Sequence, residues 1–284
     1  MGDEQKEQRY AIIGDPVEHS LSPLIYEILF RMNGIEVNYE KIQVTRDTLD
    51  EFIHSIPKRG LSGFNVTMPL KGEIMRYLET IDFTVDNGVN TVRVGDGGAL
   101  HGYSTDAEGF RLSLARLRIP FRGTRFVILG CGGAATALIE SILREQPESL
   151  TIVNRTPEHA AAYASLTNVQ VVQNIAEARD AIAKCDVLIN ATPLGMHGYP
   201  DTFQNYDFLD VLPKGAVVAD LIYAPPQTKL LKEAAARGHA TMNGVTMLAA
   251  QGIAAFQLFT GIPVHHDVLP QLAEALRVEV ESTL

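Results

Sequence analysis

The sequence predicts an α/β protein with two domains: an N-terminal α/β domain followed by a Rossmann-type, doubly wound parallel sheet. Apolar runs typical of buried strands alternate with helix-patterned segments along the 284 residues. A glycine-rich loop follows the apolar run 125–129 and precedes a helical pattern, as in dinucleotide-binding folds. We therefore expect a first domain at 1–107, completed by C-terminal helices at 246–284, and a second domain at 108–245.

Strand and helix patterns alternate in the first domain. At the start of its first helix, Ser22 is positioned to cap free backbone amides, and Pro23 fits the first helical position. The expected strands are 10–14, 37–44, 63–67 and 90–94. Three helices are expected: one that begins at Ser22, one over 48–56, and one that includes Ile74 and Leu78.

The second domain has the pattern of a parallel sheet with helices between its strands. We expect the last two helices of the chain to pack on the first domain. The expected strands are 125–129, 150–153, 169–172, 186–190 and 216–220, and the expected helices are 108–117, one through 138–143, 247–260 and 268–280.

The composition excludes several classes of protein. A net charge of −10 argues against a general nucleic-acid binder, which needs a basic face. No apolar stretch is long enough to span a membrane, and residues 1–9 lack the apolar core of a signal peptide. Cys131 and Cys185 lack Cys-x-x-Cys spacing, so we expect a reduced, cytoplasmic setting. His265 and His266 are adjacent near a helix start and would not share one helix face, so no metal site is predicted.

The glycine-rich loop predicts a dinucleotide site. Gly130, Gly132 and Ala135 fit G-x-G-x-x-A, in which the glycines permit a tight turn and close approach of a pyrophosphate. Gly133 and Ala134 lie where the following helix offers free amides and a positive dipole to phosphate. The alternative is a plain glycine turn between a strand and a helix.

The residues after the next strand indicate which dinucleotide binds. An NAD site usually has an acidic residue there for the ribose 2′-hydroxyl. This chain has Asn154, Arg155 and Thr156 instead, and arginine accepts a 2′-phosphate that a carboxylate would repel. The sequence therefore predicts NADP, with NAD as a weaker cofactor. The alternative for Arg155 is an exposed, solvated arginine.

Two polar runs, 65–71 and 102–106, mix amide, hydroxyl and charged side chains between apolar segments. They end at Lys71 and Asp106. A polar pocket of this kind beside a nucleotide fold indicates redox chemistry on a small hydroxylated substrate.

With these segments, the chain resembles the shikimate dehydrogenase family, including its quinate/shikimate members. The resemblance implies reversible reduction of 3-dehydroshikimate to shikimate with NADPH. It covers nearly the whole chain, through 14–23, 65–71, 89–91, 102–106, 154–156 and 190–196, and through Asp220, Tyr223, Pro225, Thr228, Gly244, Met247 and Gln251.

The resemblance also implies roles for single residues. Lys71 and Asp106 would flank the reacting oxygen, with a structural ion pair as the alternative. Ser20 and Ser22 would bind the substrate carboxylate. The remaining substrate contacts would be Asn65, Thr67, Asn90, Tyr223 and Gln251, where the alternative for each amide is a loop-stabilising hydrogen bond. The remaining cofactor contacts would be Thr192, Gly195, Met196, Ile222, Gly244 and Met247.

Three positions depart from the family pattern. Ser104 replaces a usual asparagine, Asp86-Asn87-Gly88 replaces a common Ile-Gly-Ala run, and His159 stands where many NADP-using members have a second arginine. A moderate preference for NADP is therefore expected. The open alternatives are a quinate/shikimate or aminoshikimate paralogue, a non-catalytic metabolite sensor, and a methylene-tetrahydrofolate dehydrogenase. The expected partner is a small-molecule substrate, and the expected assembly is a monomer or homodimer.

Overall fold

A computed structural model describes residues 8–82 and 88–284. The chain forms two compact units. The first unit is Met1–Glu108 with Gln251–Leu272, and the second unit is Gly109–Ala250 with Ala273–Leu284.

The first unit contains a mixed sheet with the strand order β2-β1-β3-β5-β6-β4. Strands β1, β2 and β3 run parallel, whereas β5 is antiparallel to both β3 and β6. Its elements are β1 (Arg9–Gly14), α1 (Ser22–Met32), β2 (Asn38–Gln43), α2 (Leu49–Arg59), β3 (Leu61–Val66), a 3₁₀ helix (Glu73–Tyr77), β4 (Thr80–Ile81), β5 (Thr91–Val94), β6 (Leu100–Tyr103) and the start of α3 (Asp106–Arg116).

This topology gathers the polar runs at one edge of the sheet. Because β5 runs against its neighbours, the end of β3, the start of β5 and the end of β6 share that edge. The faces of the sheet are apolar, with Ile13, Phe64 and Val92 fully buried. Side chains that follow β3 and β6 are therefore brought together although they are distant in sequence.

The second unit has a fully parallel sheet with the strand order β12-β11-β10-β7-β8-β9. Separate apolar clusters pack around this sheet, as expected for a sheet covered on both faces. Its elements are β7 (Arg125–Leu129), α4 (Gly133–Arg144), β8 (Ser149–Val153), a 3₁₀ helix (Pro157–Tyr163), β9 (Val169–Val172), α5 (Arg179–Ile182), β10 (Val187–Asn190), a 3₁₀ helix (Asp207–Val211), β11 (Val217–Asp220), α6 (Lys229–Ala236) and β12 (Ala240–Met242). The last two helices, α7 (Gly244–Thr260) and α8 (Val268–Thr283), are divided between the two units.

The predicted α/β class and the Rossmann-type sheet are confirmed, but local details differ. The sequence does not predict β4, β6 and β12, because β4 and β12 have only two and three residues and β6 has a glycine among its four. The helix expected through Leu78 is a 3₁₀ helix that ends at Tyr77. The cap predicted at Ser22 is wrong: the cap position of α1 is Leu21, and no side chain caps the helix there.

The compact division differs from the predicted domain limits at the C-terminus, where 246–250 and 273–284 belong to the second unit. Packing explains this. In α7, Met247 packs on the core of the second unit, whereas Phe256 and Phe259 contact Phe30 and Tyr10 of the first unit. The assignment of a separate function to each domain stays a prediction.

Asp220, at the end of β11, joins three elements of the second unit. Its carboxylate accepts hydrogen bonds from Thr228 Oγ1 at 2.7 Å, from Ile222 N at 3.0 Å and from Asn190 Nδ2 at 3.0 Å. Thr228 in turn caps α6 by accepting from Leu231 N. The side chain is fully buried, and this burial raises the pKa of Asp220 to about 6, against the opposing effect of the three hydrogen bonds.

This raised pKa predicts a pH dependence of stability. The folded protein holds a proton on Asp220 between about pH 4 and pH 6, whereas the unfolded chain does not. The free energy of unfolding should therefore fall by up to ~3 kcal/mol as the pH rises through that window. Asp220→Asn keeps the shape and should remove this contribution.

Urea unfolding of the wild type and the variant at pH 4.5 and pH 7 measures the effect. The stability difference between the two proteins should shrink, or reverse in favour of the variant, at the higher pH. Parallel pH profiles would show that Asp220 titrates normally in the folded protein.

Candidate active site

Lys71 and Asp106 form an ion pair at the polar edge of the first unit. Lys71 follows the turn after β3, where its backbone carbonyl accepts from Val89 N at 2.9 Å. Asp106 is the first residue of α3, a position where the helix dipole favours a carboxylate. The two side chains are 29% and 20% exposed, so the pair is screened from bulk water yet open to a small ligand.

Asn65, at the end of β3, is almost fully committed to hydrogen bonds within the protein. Its Nδ2 donates to Asn90 O at 3.2 Å and to Thr91 Oγ1 at 3.1 Å, and its Oδ1 accepts from Tyr39 Oη at 2.8 Å. Both amide hydrogens are used, and among the described residues only Tyr39 donates to Oδ1, so Asn65 can meet a ligand hydroxyl as an acceptor.

Asn90 has the complementary property. Its Oδ1 accepts from Thr105 N at 2.8 Å and Thr91 Oγ1 at 3.1 Å, which fixes the orientation of the amide. One Nδ2 hydrogen goes to Thr105 Oγ1 at 3.0 Å. No described residue accepts the second Nδ2 hydrogen, so Asn90 can act as a donor where Asn65 can act as an acceptor.

Gln251 of α7 joins the same network, because its Oε1 accepts from Thr105 Oγ1 at 3.4 Å. Thr67 lies just after β3, with its backbone N–H donating to Ile13 O and its side chain part-exposed. The substrate residues predicted in the first unit at 65–106 and Gln251 are thus close together in one polar cluster.

Ser20 and Ser22 contact each other before and at the start of α1. Ser20 Oγ donates to Ser22 Oγ at 3.2 Å and accepts from Ser22 N at the same distance. Ser22 is only 7% exposed, whereas Ser20 is more accessible. The backbone N–H of Ser22 therefore holds the Ser20 hydroxyl in place, and the Ser20 hydroxyl is the more accessible of the two.

Sequence reasoning missed Tyr39, Tyr26, Thr91 and Thr105. The rings of Tyr26 and Tyr39 stack with centroids 4.4 Å apart. Burial, the largest cause, raises the pKa of both phenols well above their usual range, so both phenols stay neutral. The threonines adjoin predicted residues and could have been found by proximity in sequence. No sequence pattern distinguishes Tyr39, which lies in the part-exposed strand β2.

Ser104, which replaces the usual asparagine, has a buried Oγ without a hydrogen-bond partner among the described residues. The departure at 86–88 is only partly described, because residues 86 and 87 lie outside the described ranges.

In the second unit, the glycine loop has the form of a pyrophosphate cradle. Gly130 has φ +101°, and a Cβ there would lie 2.9 Å from Thr192 Cγ2 and 3.1 Å from Ala191 O. A Cβ at Gly132 or Gly133 would meet open space. Helix α4 starts at Gly133 without a side-chain cap, so its first amides face that space. These features fit a dinucleotide phosphate; the side chain of Ala134 lies outside the described part.

Asn154 connects this loop to the turn that follows β8. Its Oδ1 accepts from Cys131 N at 3.2 Å, and its Nδ2 donates to Thr156 O at 2.7 Å. The amide is therefore used to hold the loop and the turn. Arg155 and Thr156 are exposed, and their side chains are left to contact a ligand.

Arg155 and Thr192 line a cavity of about 920 Å³ at the carboxyl ends of β7 and β8, which contribute Leu129 and Val153. Ligands of open α/β sheets bind at this edge. Thr192 is held by a 2.6 Å bond from its Oγ1 to Asn190 Oδ1. The cavity can hold an adenosine group beside the glycine loop.

The other predicted residues of the second unit lie after β10 and β11. Gly244 packs so closely that a Cβ would lie 2.2 Å from Leu221 O, and its N–H donates to Ile222 O at 3.1 Å. Ile222 is buried, whereas Met196 and Tyr223 are 41% and 37% exposed. Gly195 has φ +95°, and Met247 is partly buried. The ligand contacts of these residues stay predictions.

His265, His266 and Asp267 lie in the segment before α8, and all three are exposed. Their possible ligand atoms lie within 4.8 Å of one another. The expectation that the two histidines diverge on a helix is therefore wrong, because the segment is not helical. Asp267 lies 3.2 Å from each ring and accounts for the grouping.

Within the described ranges, no helix is long and apolar enough to cross a membrane.

Known proteins match this chain along most of its length. Residues 12–92 match the profile of the shikimate dehydrogenase substrate binding domain, and residues 113–195 match that of shikimate / quinate 5-dehydrogenase. Shikimate dehydrogenase (NADP(+)) of Bacillus subtilis (strain 168) is 39% identical over 259 residues, which cover 89% of this chain and 91% of the relative.

Solved structures agree. Shikimate 5-dehydrogenase from Thermus thermophilus, in complex with NADP(H) and shikimate, has a TM-score of 0.81 and 31% identity, and the match covers 95% of this chain and 99% of that chain. Shikimate 5-dehydrogenase from Listeria monocytogenes, in complex with shikimate and NAD, has a TM-score of 0.84 and 27% identity over 96% and 99% of the two chains. Because the identity to the Bacillus relative extends over most of both chains, this protein belongs to the shikimate dehydrogenase family of NADP-dependent oxidoreductases.

Proposed function

We propose that this chain catalyses the reversible, NADPH-dependent reduction of 3-dehydroshikimate to shikimate, with Lys71 and Asp106 as its catalytic residues. The observation that carries the proposal is the Lys71–Asp106 ion pair beside a cluster of oriented amides and hydroxyls. An ion pair that served only the fold would not need a nearby donor on Asn90 and a nearby acceptor on Asn65 that no described residue uses.

The chemistry follows from the charge that develops on the substrate. Bound NADPH supplies a hydride to the carbonyl carbon. Negative charge then develops on the carbonyl oxygen, which the Lys71 ammonium stabilises and to which its Nζ gives a proton. Asp106 accepts a hydrogen bond from that ammonium and fixes its direction. In the reverse direction, Lys71 receives the proton of the substrate hydroxyl.

The other predicted residues bind the substrate. Ser20 and Ser22 offer hydroxyls to its carboxylate, and Asn65 and Asn90 read ring hydroxyls as acceptor and donor respectively. Thr67, Gln251 and Tyr223 complete the proposed contacts. A ring with several hydroxyls needs this mixture, because each hydroxyl both donates and accepts.

NADP is bound by the second unit. The free amides at the start of α4 face the pyrophosphate, and Arg155 with Thr156 faces the 2′-phosphate. Thr192, Gly195, Met196, Ile222, Gly244 and Met247 are the remaining proposed contacts. Assays with shikimate and with quinate, each with NADP and with NAD, test substrate and cofactor together. Faster turnover of quinate than of shikimate would contradict shikimate as the preferred substrate.

We also propose that the protein acts in the cytoplasm as a monomer or homodimer. Its two cysteines, Cys131 and Cys185, are both buried and unpaired with each other, which suits a reducing compartment. Size-exclusion chromatography with light scattering measures the assembly state.

Lys71→Ala should lower kcat by roughly 10²–10⁴-fold, the range for loss of a positioned acid or base, while KM for shikimate changes far less. Asp106→Asn keeps the shape and should also lower kcat. Lys58→Ala, which removes an exposed lysine at the end of α2, is the matched control. Near-normal turnover of Lys71→Ala would show that the Lys71–Asp106 ion pair of the wild type serves the fold and not catalysis.

Ser20→Ala and Ser22→Ala should each raise KM for shikimate about 10- to 100-fold, because a hydrogen bond to a charged group contributes roughly 1.5–3 kcal/mol. Since Ser22 does not cap α1, its variant should not lose the ~1 kcal/mol of a missing cap. Ser55→Ala, which removes a hydroxyl bonded to Phe52 O and Arg59 Nε within α2, is the control for steady-state kinetics. Unchanged KM in both variants would refute the carboxylate contact.

Tyr39→Phe removes the donor that orients Asn65 and should raise KM for shikimate about 3- to 10-fold, in keeping with one neutral hydrogen bond of about 1 kcal/mol. Because Tyr39 acts through Asn65, kcat should change less than KM. Tyr77→Phe, which removes a phenol that donates to Asp50 Oδ1 at 3.3 Å, serves as the control. A fall in kcat of about 3- to 10-fold with no change in KM would contradict a positioning role for Tyr39.

A further inference from the structure

A second arginine lines the cavity that contains Arg155. Arg179, the first residue of α5, contributes to the same 920 Å³ space. Within residues 8–82 and 88–284, neither guanidinium group has a hydrogen bond or an ion pair. The cavity is therefore lined by two guanidinium groups whose N–H donors form no hydrogen bond with a described residue.

Several other arginines of the second unit are paired. Arg125 binds Asp186 at 2.7 Å, Arg237 binds Asp210 and Glu233 at 2.7 Å each, and Arg277 binds Glu274 and Glu281. Acidic partners are thus common on this surface. The two arginines of the cavity have none within the described ranges, although Asp201 and Asp207 line the same space.

The segment that carries Arg179 is fixed beside the Arg155 turn. Gln173 Nε2 donates to Arg155 O at 3.5 Å. The carboxylate of Glu177 accepts from Gln173 N at 3.0 Å and from Asn174 Nδ2 at 2.6 Å. Ala178, immediately before Arg179, is fully buried in the core. The backbone position of Arg179 is therefore determined by its anchored neighbours.

Charge in the cavity shows why a second arginine matters. The carboxylates of Asp201 and Asp207 oppose the binding of an anion. With Arg155 and Arg179, two positive groups balance the two negative ones. With Arg155 alone, the lining would be net negative and would repel a phosphate.

His159 does not fill this role. The resemblance to the family implies a second arginine at its position, but His159 is not among the residues that line the cavity. Its backbone is engaged elsewhere, through His159 N to Thr156 O at 3.1 Å and Cys131 Sγ to His159 O at 3.8 Å. The second positive charge comes from α5 instead.

We infer that Arg179 is a second residue for the 2′-phosphate of NADP and thereby a determinant of cofactor specificity. A phosphate monoester carries up to two charges and three free oxygens, and two guanidinium forks satisfy such a group better than one. The inference rests on the proposed function, in which the second unit binds NADP.

Binding of two nucleotides to the full-length protein tests Arg179 without the catalysed reaction. Isothermal titration calorimetry should compare adenosine 2′,5′-bisphosphate with 5′-AMP, which differ only in the 2′-phosphate. Arg179→Ala should weaken the bisphosphate about 10- to 100-fold and leave 5′-AMP within about twofold, since only charge-assisted hydrogen bonds to the 2′-phosphate are lost. Arg179→Lys should recover part of the affinity through its charge.

Two further variants sharpen the comparison. Arg155→Ala should show the same selective loss, and the double variant should bind both nucleotides about equally. Arg122→Ala removes an exposed arginine that does not line the cavity, and it should leave both affinities unchanged. Far-UV circular dichroism and a melting curve verify that each variant is folded.

Several outcomes overturn the inference. They are an unchanged affinity of Arg179→Ala for the bisphosphate, an equal loss for both nucleotides, and a wild-type protein that does not distinguish them. Failure of the proposed function looks different: the wild type would then not reduce NADP with shikimate, whatever the calorimetry gives. If both hold, KM for NADPH should rise in Arg179→Ala while KM for NADH stays constant.

Discussion

The predicted substrate site depends on one requirement, that amides buried at strand ends be hydrogen bonded. Asn65 and Asn90 are only 5% and 3% exposed, and an unsatisfied amide there would cost about 1–3 kcal/mol. Tyr39, Thr91 and Thr105 meet most of this demand. One acceptor on Asn65 and one donor on Asn90 are left unused by the described residues, so the packing of the sheet edge itself defines which hydrogen bonds a ligand can form.

Neighbouring charges in the first unit serve a different purpose. Lys71 and Asp106 neutralise each other without ligand, yet both remain part-exposed. A substrate oxygen that gains negative charge can therefore interact with an ammonium group that is already oriented. Such preorganisation costs no rearrangement during the reaction, which is why it contributes strongly to catalysis.

In the second unit, the arginines proposed to bind the cofactor are not paired with a described acid, unlike Lys71 in the first unit. Arginines such as Arg237 and Arg277 are compensated by acids on the same or neighbouring helices. Arg155 and Arg179 line a cavity that also contains carboxylates, and neither guanidinium group is paired with a described residue. Under the proposed function, cofactor preference depends on the local charge balance around the 2′-phosphate and not on the glycine loop, which any dinucleotide can use.

The sequence by itself determined the α/β class, the parallel sheet of the second unit, the glycine loop and the Lys71–Asp106 pairing by family resemblance. The first three depend on local periodicity and on glycine geometry, which can be read along the chain. The Lys71–Asp106 pairing came from the resemblance alone, because the two residues are 35 positions apart in sequence. Short strands such as β6 were missed, because four residues with a glycine carry little periodic signal. The cap assigned to Ser22 was wrong, because Ser22 is itself the first helical residue and its backbone N–H donates to the Ser20 hydroxyl.

Only the tertiary structure decided which residues meet across long separations. Tyr39 reaches Asn65 from two strands away in the sheet, and Gln251 reaches Thr105 from the C-terminal part of the chain. Arg179 reaches the Arg155 cavity because parallel strands end at a common edge and Ala178 anchors the start of α5. Such contacts depend on strand order and packing, and no spacing along the sequence encodes either.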